Sequence, residues 1–201
     1  MKKKLKYLKS KALEIACAGA SLLLIITITL NSCNTTEPIE YNEASLENNN
    51  AQFDNAKESD AQFLVTVAGI NLEEIELGQL AQTNSMMSQV KELGNRMETE
   101  HYKSQSDLRE LAAKKQITLP TTLTKNGLDA SIKLMDKHGN DFDKEYSDMM
   151  VNGRKDALDK FKKASIEASD PDIRYWARTM LPALRTQLSH SIDCQKQCEK
   201  I

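Results

Sequence analysis

Apolar side chains recur at steps of three and four residues through four long segments of the chain, and this period constrains the fold more than any other feature. In the first segment the predicted inward positions include Phe63, Val67, Ile70 and Leu77. A repeat near 3.6 residues is typical of an amphipathic α-helix, because a strand alternates at every second residue. The chain also has only 7 glycines and 4 prolines in 201 residues, which argues against a turn-rich barrel or sandwich. The sequence therefore predicts an all-α fold.

The ends of the four helices can be placed from capping signals. Ser59 and Gln62 have the spacing of a capping box at the start of the first helix. The fourth has Asp170 as N-cap and Pro171 in its first turn, and Pro182 inside it should bend it. The predicted spans are Ser59 onward for the first helix, Ser88 to Lys115 for the second, from about Asn140 to the residues before Asp170 for the third, and from Pro171 for the fourth.

Connection lengths predict the topology. Helices one and two, and helices three and four, are joined by a few residues each, so each pair should be antiparallel. Residues 116–139 separate the second helix from the third, with a short helix expected around Leu128, Ile132 and Met135. We therefore expect residues 58–201 to form a ferritin-like antiparallel four-helix bundle with one long crossover between helices 2 and 3.

The inward faces also include polar residues and small residues. The apolar stripe of the first helix passes through Glu74, and that of the second passes through His101. In the third helix the same spacing places Tyr146, Met149 and Gly153 on the inward face.

Residues 1–32 predict a bacterial lipoprotein signal peptide. Six lysines within the first 11 residues precede an apolar run from Ile15 to Leu30, which is the order of a secretory leader. Sixteen residues at 1.5 Å rise span about 24 Å, so an uncleaved transmembrane helix is the less favoured alternative. The next residues, Leu30 to Cys33, resemble a lipobox, so we expect cleavage before Cys33 and lipid attachment to it. The lipid would anchor the protein to a membrane without spanning it.

Residues 33–57 predict a flexible tether between the lipid and the bundle. Residues 34–57 hold five acidic residues, one lysine and few large apolar side chains. Without residues 1–32 the chain has 21 basic and 28 acidic residues, which makes it a poor nucleic-acid binder. We expect an envelope location on the periplasmic side of the outer membrane.

Four short motifs together resemble one protein family. They are the run EIELGQLA at residues 74–81, Arg96-Met97 with Glu100-His101, Phe142-Asp143 with Tyr146 and Met150-Val151, and Leu181-Pro182-Ala183-Leu184. In order and spacing they are similar to the bacterial ferritin-like envelope family known as domain of unknown function 4142, over about residues 58–192. The resemblance implies a ferritin-like bundle in a secreted or outer-membrane protein. The family pattern has histidines on three helices; this chain has one at His101, and Arg154 and Gln187 hold the other two positions.

Glu74, Glu98 and His101 are the candidate metal ligands. Glu98 and His101 have the Glu-x-x-His spacing by which a bundle helix offers a carboxylate and an imidazole to a di-iron centre. A di-iron site needs a second such motif, so these three residues would instead share a single transition-metal ion. The favoured alternative is structural: a buried carboxylate and imidazole that hydrogen-bond to each other in the core.

Cys194 and Cys198 are the thiols expected in the mature domain besides Cys33. Residues four apart on a regular helix have Cβ atoms ~5–6 Å apart, whereas a disulfide needs ~3.5–4.5 Å. A disulfide would therefore require the last helical turn to fray. The alternatives are two free or packed thiols, a metal or intermolecular role, and redox catalysis, which lacks a thioredoxin-like Cys-x-x-Cys motif.

The sequence favours a non-enzymatic role. No Ser-His-Asp arrangement with recognisable spacing is present, so we expect no catalytic residues and no required cofactor. The predicted function is a lipid-anchored helical module that binds an envelope protein or a small ligand. The competing prediction is a metal-binding bundle that uses Glu74, Glu98 and His101.

Overall fold

The computed structural model describes residues 55–200, which form five α-helices. Their bounds are Asn55–Asn84 (α1), Ser88–Lys115 (α2), Lys125–Met135 (α3), Gly139–Glu167 (α4) and Pro171–Cys198 (α5). No strand occurs in this part of the chain, as the helical periodicity predicts. None of these helices combines the length and the hydropathy that crossing a membrane requires.

The expectations for the amino terminus fall mostly outside the described residues. The leader of residues 1–32, the lipid-bearing Cys33 and the tether as far as residue 54 are not among residues 55–200. The last three residues assigned to the tether, 55–57, are already helical. The predicted helix start at Ser59 is therefore wrong, and Ser59 lies inside α1 rather than at a capping box.

The helices pack as two antiparallel pairs. α1 packs against α2, and α4 packs against α5. The joins are the short segments 85–87 and 168–170, whereas residues 116–138 connect α2 to α4. The short helix expected in this long connection is present as α3, and it packs mainly on α1. The antiparallel pairing and the long connection are both as predicted.

The join between α4 and α5 is held by two aspartates. The side chain of Asp170 accepts hydrogen bonds from the backbone N–H groups of Asp172 (2.8 Å) and Ile173 (3.2 Å), so the predicted N-cap of α5 is confirmed. Asp60, which is buried in α1, accepts from the backbone N–H groups of Ser169 (3.0 Å) and Asp170 (2.6 Å). α5 then continues through Pro182 to Cys198 as one helix.

α1 and α2 approach each other closely at two glycines. A Cβ atom built on Gly78 would lie 2.6 Å from the backbone oxygen of Gly94, and one built on Gly94 would lie 2.5 Å from the Cβ of Ala81. Both distances are too short for a real side chain. The crossing of these two helices therefore depends on the absence of side chains there.

The buried apolar residues form two clusters. One fills the end of the bundle where α4 turns into α5; its large members include Leu64, Leu108, Phe161 and Ile173. The other fills the opposite end, where α1 turns into α2; its members include Leu77, Met97, Phe142, Tyr146, Cys194 and Cys198. Along all four long helices the residues between these clusters are polar and buried, namely Asn71, Glu74, His101, Gln105, Arg154 and Gln187.

The inward face of α4 differs from the prediction in its middle turns. Met150 and Arg154 are buried, whereas Met149 and Gly153 are only partly buried. Since Phe142, Tyr146, Ala157 and Phe161 are buried as predicted, the face shifts by one residue only around positions 149–154. This shift places Arg154 in the core.

Candidate functional site: a buried polar layer beside a cavity

Arg154 is the centre of the buried polar layer. Its side chain, on α4, has no exposed surface. The guanidinium forms an ion pair with Glu74 on α1, donates from Nη1 to Nε2 of His101 on α2 (2.7 Å) and donates from Nη1 to Oε1 of Gln187 on α5 (3.2 Å). One side chain thus joins all four long helices. The Glu74 carboxylate balances its charge, without which burial would be strongly unfavourable.

The hydrogen bonds of His101 fix its tautomer. Nε2 accepts from Arg154, so Nδ1 must carry the proton and donate to Oδ1 of Asn71 (2.8 Å). Asn71 in turn donates from Nδ2 to Oε1 of Gln105 (3.0 Å). Burial, together with the positive charge of Arg154, lowers the pKa of His101 well below its ordinary value. The imidazole is therefore neutral at neutral pH.

Burial also raises the pKa values of two carboxyl groups on α1, those of Glu73 and Glu74. Burial raises the pKa of Glu74, and the neighbouring guanidinium of Arg154 opposes that rise. Glu73 is partly buried beside it, and its pKa is raised to about 7, first by burial and then by the charge of Glu74. A group with a pKa near 7 changes its charge within the physiological pH range.

The layer continues from Arg154 toward the surface through α5 and α2. Gln187 accepts from Arg154 and donates from Nε2 to Oε2 of Glu100 (2.7 Å). Glu100 is partly exposed, so this hydrogen-bonded chain leads from the centre of the bundle to its surface between α2 and α5.

A cavity of about 340 Å³ lies on this route. Its wall includes the apolar side chains of Val67, Ile70, Phe161 and Leu184, and its polar lining includes His101, Arg154 and Gln187. The Nε donor of Arg154 has no hydrogen-bond partner among the described residues. The cavity therefore combines an apolar wall with buried hydrogen-bonding groups, which is the usual make-up of a small-molecule site.

The three predicted metal candidates do not converge in the described structure. Glu74 and His101 belong to the same polar layer, but both bond to Arg154 rather than to each other. Glu98 lies apart from them and accepts from the amides of Gln79 (2.8 Å) and Gln82 (2.6 Å) on α1. Within residues 55–200, no three His, Cys, Asp or Glu side chains are placed to hold a metal ion.

Sequence reasoning found two members of the layer and missed its centre. The pattern predicts Glu74 and His101 because each interrupts an apolar stripe. Arg154 and Gln187 enter the sequence prediction only as departures from a family pattern. Asn71 is buried, whereas its neighbour Ile70, which the spacing predicts to be inward, is only partly buried. The helical spacing of Tyr146, Met150, Arg154 and Ala157 could have placed the arginine on the inward face.

Cys194 and Cys198 are free, buried thiols near the end of α5. The helix is regular through both residues, without the frayed turn that a disulfide would require. They lie within the second apolar cluster, away from the polar layer.

These features define the protein as an all-α bundle in which a charged polar layer divides two apolar clusters. The sequence model of the family "Domain of unknown function (DUF4142)" matches residues 45–193. The chain therefore belongs to the DUF4142 family. Neither the comparison with curated proteins nor that with solved structures yields a match.

Proposed function

We propose that this protein is a lipid-anchored bacterial envelope protein whose ferritin-like bundle binds a small amphipathic molecule without chemical conversion. The observation that carries the binding role is the cavity of about 340 Å³ beside the His101–Arg154 layer. The lipoprotein signal in residues 1–32 and the lipobox ending at Cys33 support the anchored location.

The lining of the cavity suggests how such a molecule would bind. An apolar portion would pack against Val67, Ile70 and Phe161, and a hydrogen-bonding group would lie near Arg154 and Gln187. Because the layer already spans four helices, these polar groups are held in place before binding, which lowers the entropic penalty of association. Lys103, Glu100 and Asp107 provide charges of both signs in the lining.

A ferritin-like arrangement is supported by the two antiparallel pairs and the long connection between them. The metal-binding alternative through Glu74, Glu98 and His101 receives less support, since the guanidinium of Arg154 already supplies a cation to Glu74 and a donor to His101. Metal analysis of the purified protein distinguishes the two functions: one tightly held transition-metal ion that disappears in His101→Ala would favour the metal site.

The binding role can be tested with an amphipathic fluorescent probe, 8-anilinonaphthalene-1-sulfonate. Ala183 is exposed and lines the cavity, so Ala183→Trp should obstruct the cavity without disturbing the core. We expect the apparent dissociation constant of the probe to rise at least about tenfold, a loss of about 1.4 kcal/mol. Ala113→Trp is the matched control, because Ala113 is exposed on α2 and lies outside the lining of this cavity. Equal probe binding by both variants would contradict the proposed site.

The anchor is tested separately by Cys33→Ser. The parent protein should fractionate with membranes and show a lipid-modified first residue by mass spectrometry, whereas the variant should lose that lipid. An unmodified Cys33 in the parent would contradict the proposed anchoring and leave the cavity result unaffected.

A further inference from the structure

The cavity beside Arg154 adjoins a second cavity along the seam between α2 and α5. The second cavity has a volume of about 490 Å³ and is lined by residues of these two helices. Asp107 and Met180 line both cavities. Phe161 of the first cavity packs against Trp176 of the second, with ring centroids 5.5 Å apart. The two cavities together are called the α2–α5 groove below, with its inner end at Arg154 and its outer end at Trp176.

The α2–α5 groove has the length of an acyl chain. From Gln187 at the inner end to Asp172 at the outer end, α5 spans about 22 Å at 1.5 Å rise per residue. The acyl chains of one bilayer leaflet span about 15 Å, half of the hydrocarbon thickness. Leu111, Trp176 and Met180 line the outer cavity and are only partly buried. Apolar surface that an extended chain could cover is therefore present along the groove.

The inner end of the groove has a hydrogen-bond donor that the protein does not use. The side chain of Arg154 has no exposed surface, and its Nε–H has no partner among residues 55–200. Its other two nitrogens contact Glu74, His101 and Gln187. A buried donor without an acceptor is unfavourable. A ligand oxygen at this position would therefore gain a hydrogen bond from a charged donor.

The charges along the groove favour an uncharged oxygen over an anion. The positive charge of Arg154 is already balanced by Glu74. The remaining charged residues in the lining are Lys103, Lys114, Glu100, Asp107, Glu110 and Asp172. Acidic side chains outnumber basic ones in this set, and a further carboxylate beside Glu74 would be repelled. A carbonyl oxygen can accept from Nε of Arg154 without adding charge.

We infer that the ligand of the proposed site is an uncharged acyl ester or amide with a single chain. Its carbonyl oxygen accepts from Nε of Arg154, and its acyl chain lies along the α2–α5 groove, over Phe161 and Met180, as far as Trp176. This inference rests on the proposed binding function and adds the class of ligand to it. The inner cavity alone does not distinguish a long chain from a compact molecule, whereas the continuation to Trp176 does.

Monodecanoylglycerol and monohexanoylglycerol test the role of the chain. The full-length protein is reconstituted in phosphatidylcholine vesicles, and each ester displaces the probe 8-anilinonaphthalene-1-sulfonate. Affinities are referred to the free aqueous ester, which is obtained from its partition into protein-free vesicles. We expect the decanoyl ester to bind at least about tenfold more tightly, because its additional methylene groups are buried. Without the probe, it should also shift the emission of Trp176, the single tryptophan of the chain, to shorter wavelength.

Thr179→Asp tests the path of the chain. Thr179 is exposed and lines the outer cavity but not the inner one. A carboxylate at this position would lose water when an acyl chain covers it, so the decanoyl ester should bind at least about fivefold more weakly. Binding of the hexanoyl ester should be unchanged. Ser189→Asp is the matched control, because Ser189 is exposed on the same helix and lies outside both linings. It should bind both esters as the parent does.

Two further compounds test the polar end of the ligand without any substitution. The ether decylglycerol lacks the carbonyl oxygen and should bind at least about tenfold more weakly than the decanoyl ester, because a hydrogen bond from the charged Arg154 is lost. Decanoate has the same chain but a negative charge, and it should also bind more weakly than the ester.

Four outcomes would each overturn the inference. They are equal affinity of the parent for the two esters, equal affinity of Thr179→Asp and Ser189→Asp for the decanoyl ester, equal binding of ester and ether, and tighter binding of decanoate than of the ester. All four leave the effect of Ala183→Trp on probe binding unchanged, so they do not contradict the proposed function. A parent protein that does not bind the probe would contradict the proposed function and this inference together.

Discussion

Arg154 makes polar contacts in the interior that no apolar residue could replace. It contacts Glu74, His101 and Gln187, each on a different helix. In a region of low dielectric constant, the ion pair with Glu74 is acceptable only while both partners are present, because each charge alone would be severely desolvated. The arginine therefore links the stability of the fold to the polar layer that borders the cavity.

Removal of the arginine should destabilise the protein more than removal of both charges. We expect Arg154→Met to lower the free energy of unfolding by about 3–5 kcal/mol, since Glu74 is left as a buried unpaired carboxylate. Adding Glu74→Gln should recover part of that loss, with a coupling of about 1–3 kcal/mol. Urea unfolding of the two single variants and the double variant measures this cycle. Strictly additive losses would show that the ion pair is not the dominant interaction.

Glu73 gives the stability a pH dependence that can be isolated by substitution. Its pKa is about 7 in the folded protein and should return to near 4.5 on unfolding. A raised acid pKa means that the folded state holds the proton more tightly, so this contribution is greatest below pH 4.5 and is lost as the pH rises through 7. Glu73→Gln should therefore stabilise the protein by at most about 2 kcal/mol at pH 8, and by less at pH 5.

The measurement is the melting temperature of parent and variant at both pH values. His101 has a lowered pKa and so contributes in the opposite direction, but it is common to both proteins and cancels in their difference. Glu110→Gln, at an exposed position of α2, is the control. An equal gain for Glu73→Gln at pH 5 and pH 8 would contradict the raised pKa.

The sequence predicted individual residues of the site only where a polar side chain interrupted a clear apolar stripe. Glu74 and His101 met that condition. Arg154 did not, because α4 offered two competing inward faces, one through Gly153 and one through Arg154. The two faces are one residue apart, which corresponds to a rotation of α4 by about 100° around its axis. Packing against the other three long helices determines this rotation, and therefore which face is buried.

At the scale of the helix, the α1–α2 crossing is set by the glycine pair. Gly78→Ala should lower the free energy of unfolding by about 1–3 kcal/mol, because its Cβ would lie 2.6 Å from the backbone oxygen of Gly94 and only movement of a helix could relieve the overlap. Gly153→Ala is the matched control on α4: its Cβ would meet Oε1 of Glu74 at an ordinary 3.5 Å, and replacement of a helical glycine should be neutral or stabilising by up to about 1 kcal/mol. Thermal unfolding compares the two, and similar effects would show that the crossing is loosely packed.

Helix existence and helix ends were predictable to different degrees. The periodic apolar positions specified all four long helices, and Asp170-Pro171 specified the start of α5 because its capping chemistry is local. The start of α1 was misplaced, since Ser59 has the spacing of a cap but lies within a helix that already includes Asn55. A local signal does not stop a helix whose neighbouring residues also favour helix.

At the scale of the whole molecule, chain connectivity was the most predictable property. Joins of three residues leave little alternative to antiparallel neighbours, and both pairs are found. The cavity between α2 and α5 was not predictable, because it depends on how far apart two helices from different pairs lie. That separation is a result of packing across the bundle and has no counterpart in the local pattern.

The two antiparallel helix pairs, or hairpins, each contribute one charge of the buried ion pair. Glu74 belongs to the α1–α2 hairpin and Arg154 to the α4–α5 hairpin, so either hairpin alone would present an uncompensated ion on the surface that it must later bury. The hairpins can therefore dock favourably only when they are correctly aligned. A shift by one helical turn would place each charged group against apolar side chains. Charge neutralisation across the long connection thus acts as a register check on assembly, and discriminates against misaligned dimers formed from hairpins of different molecules.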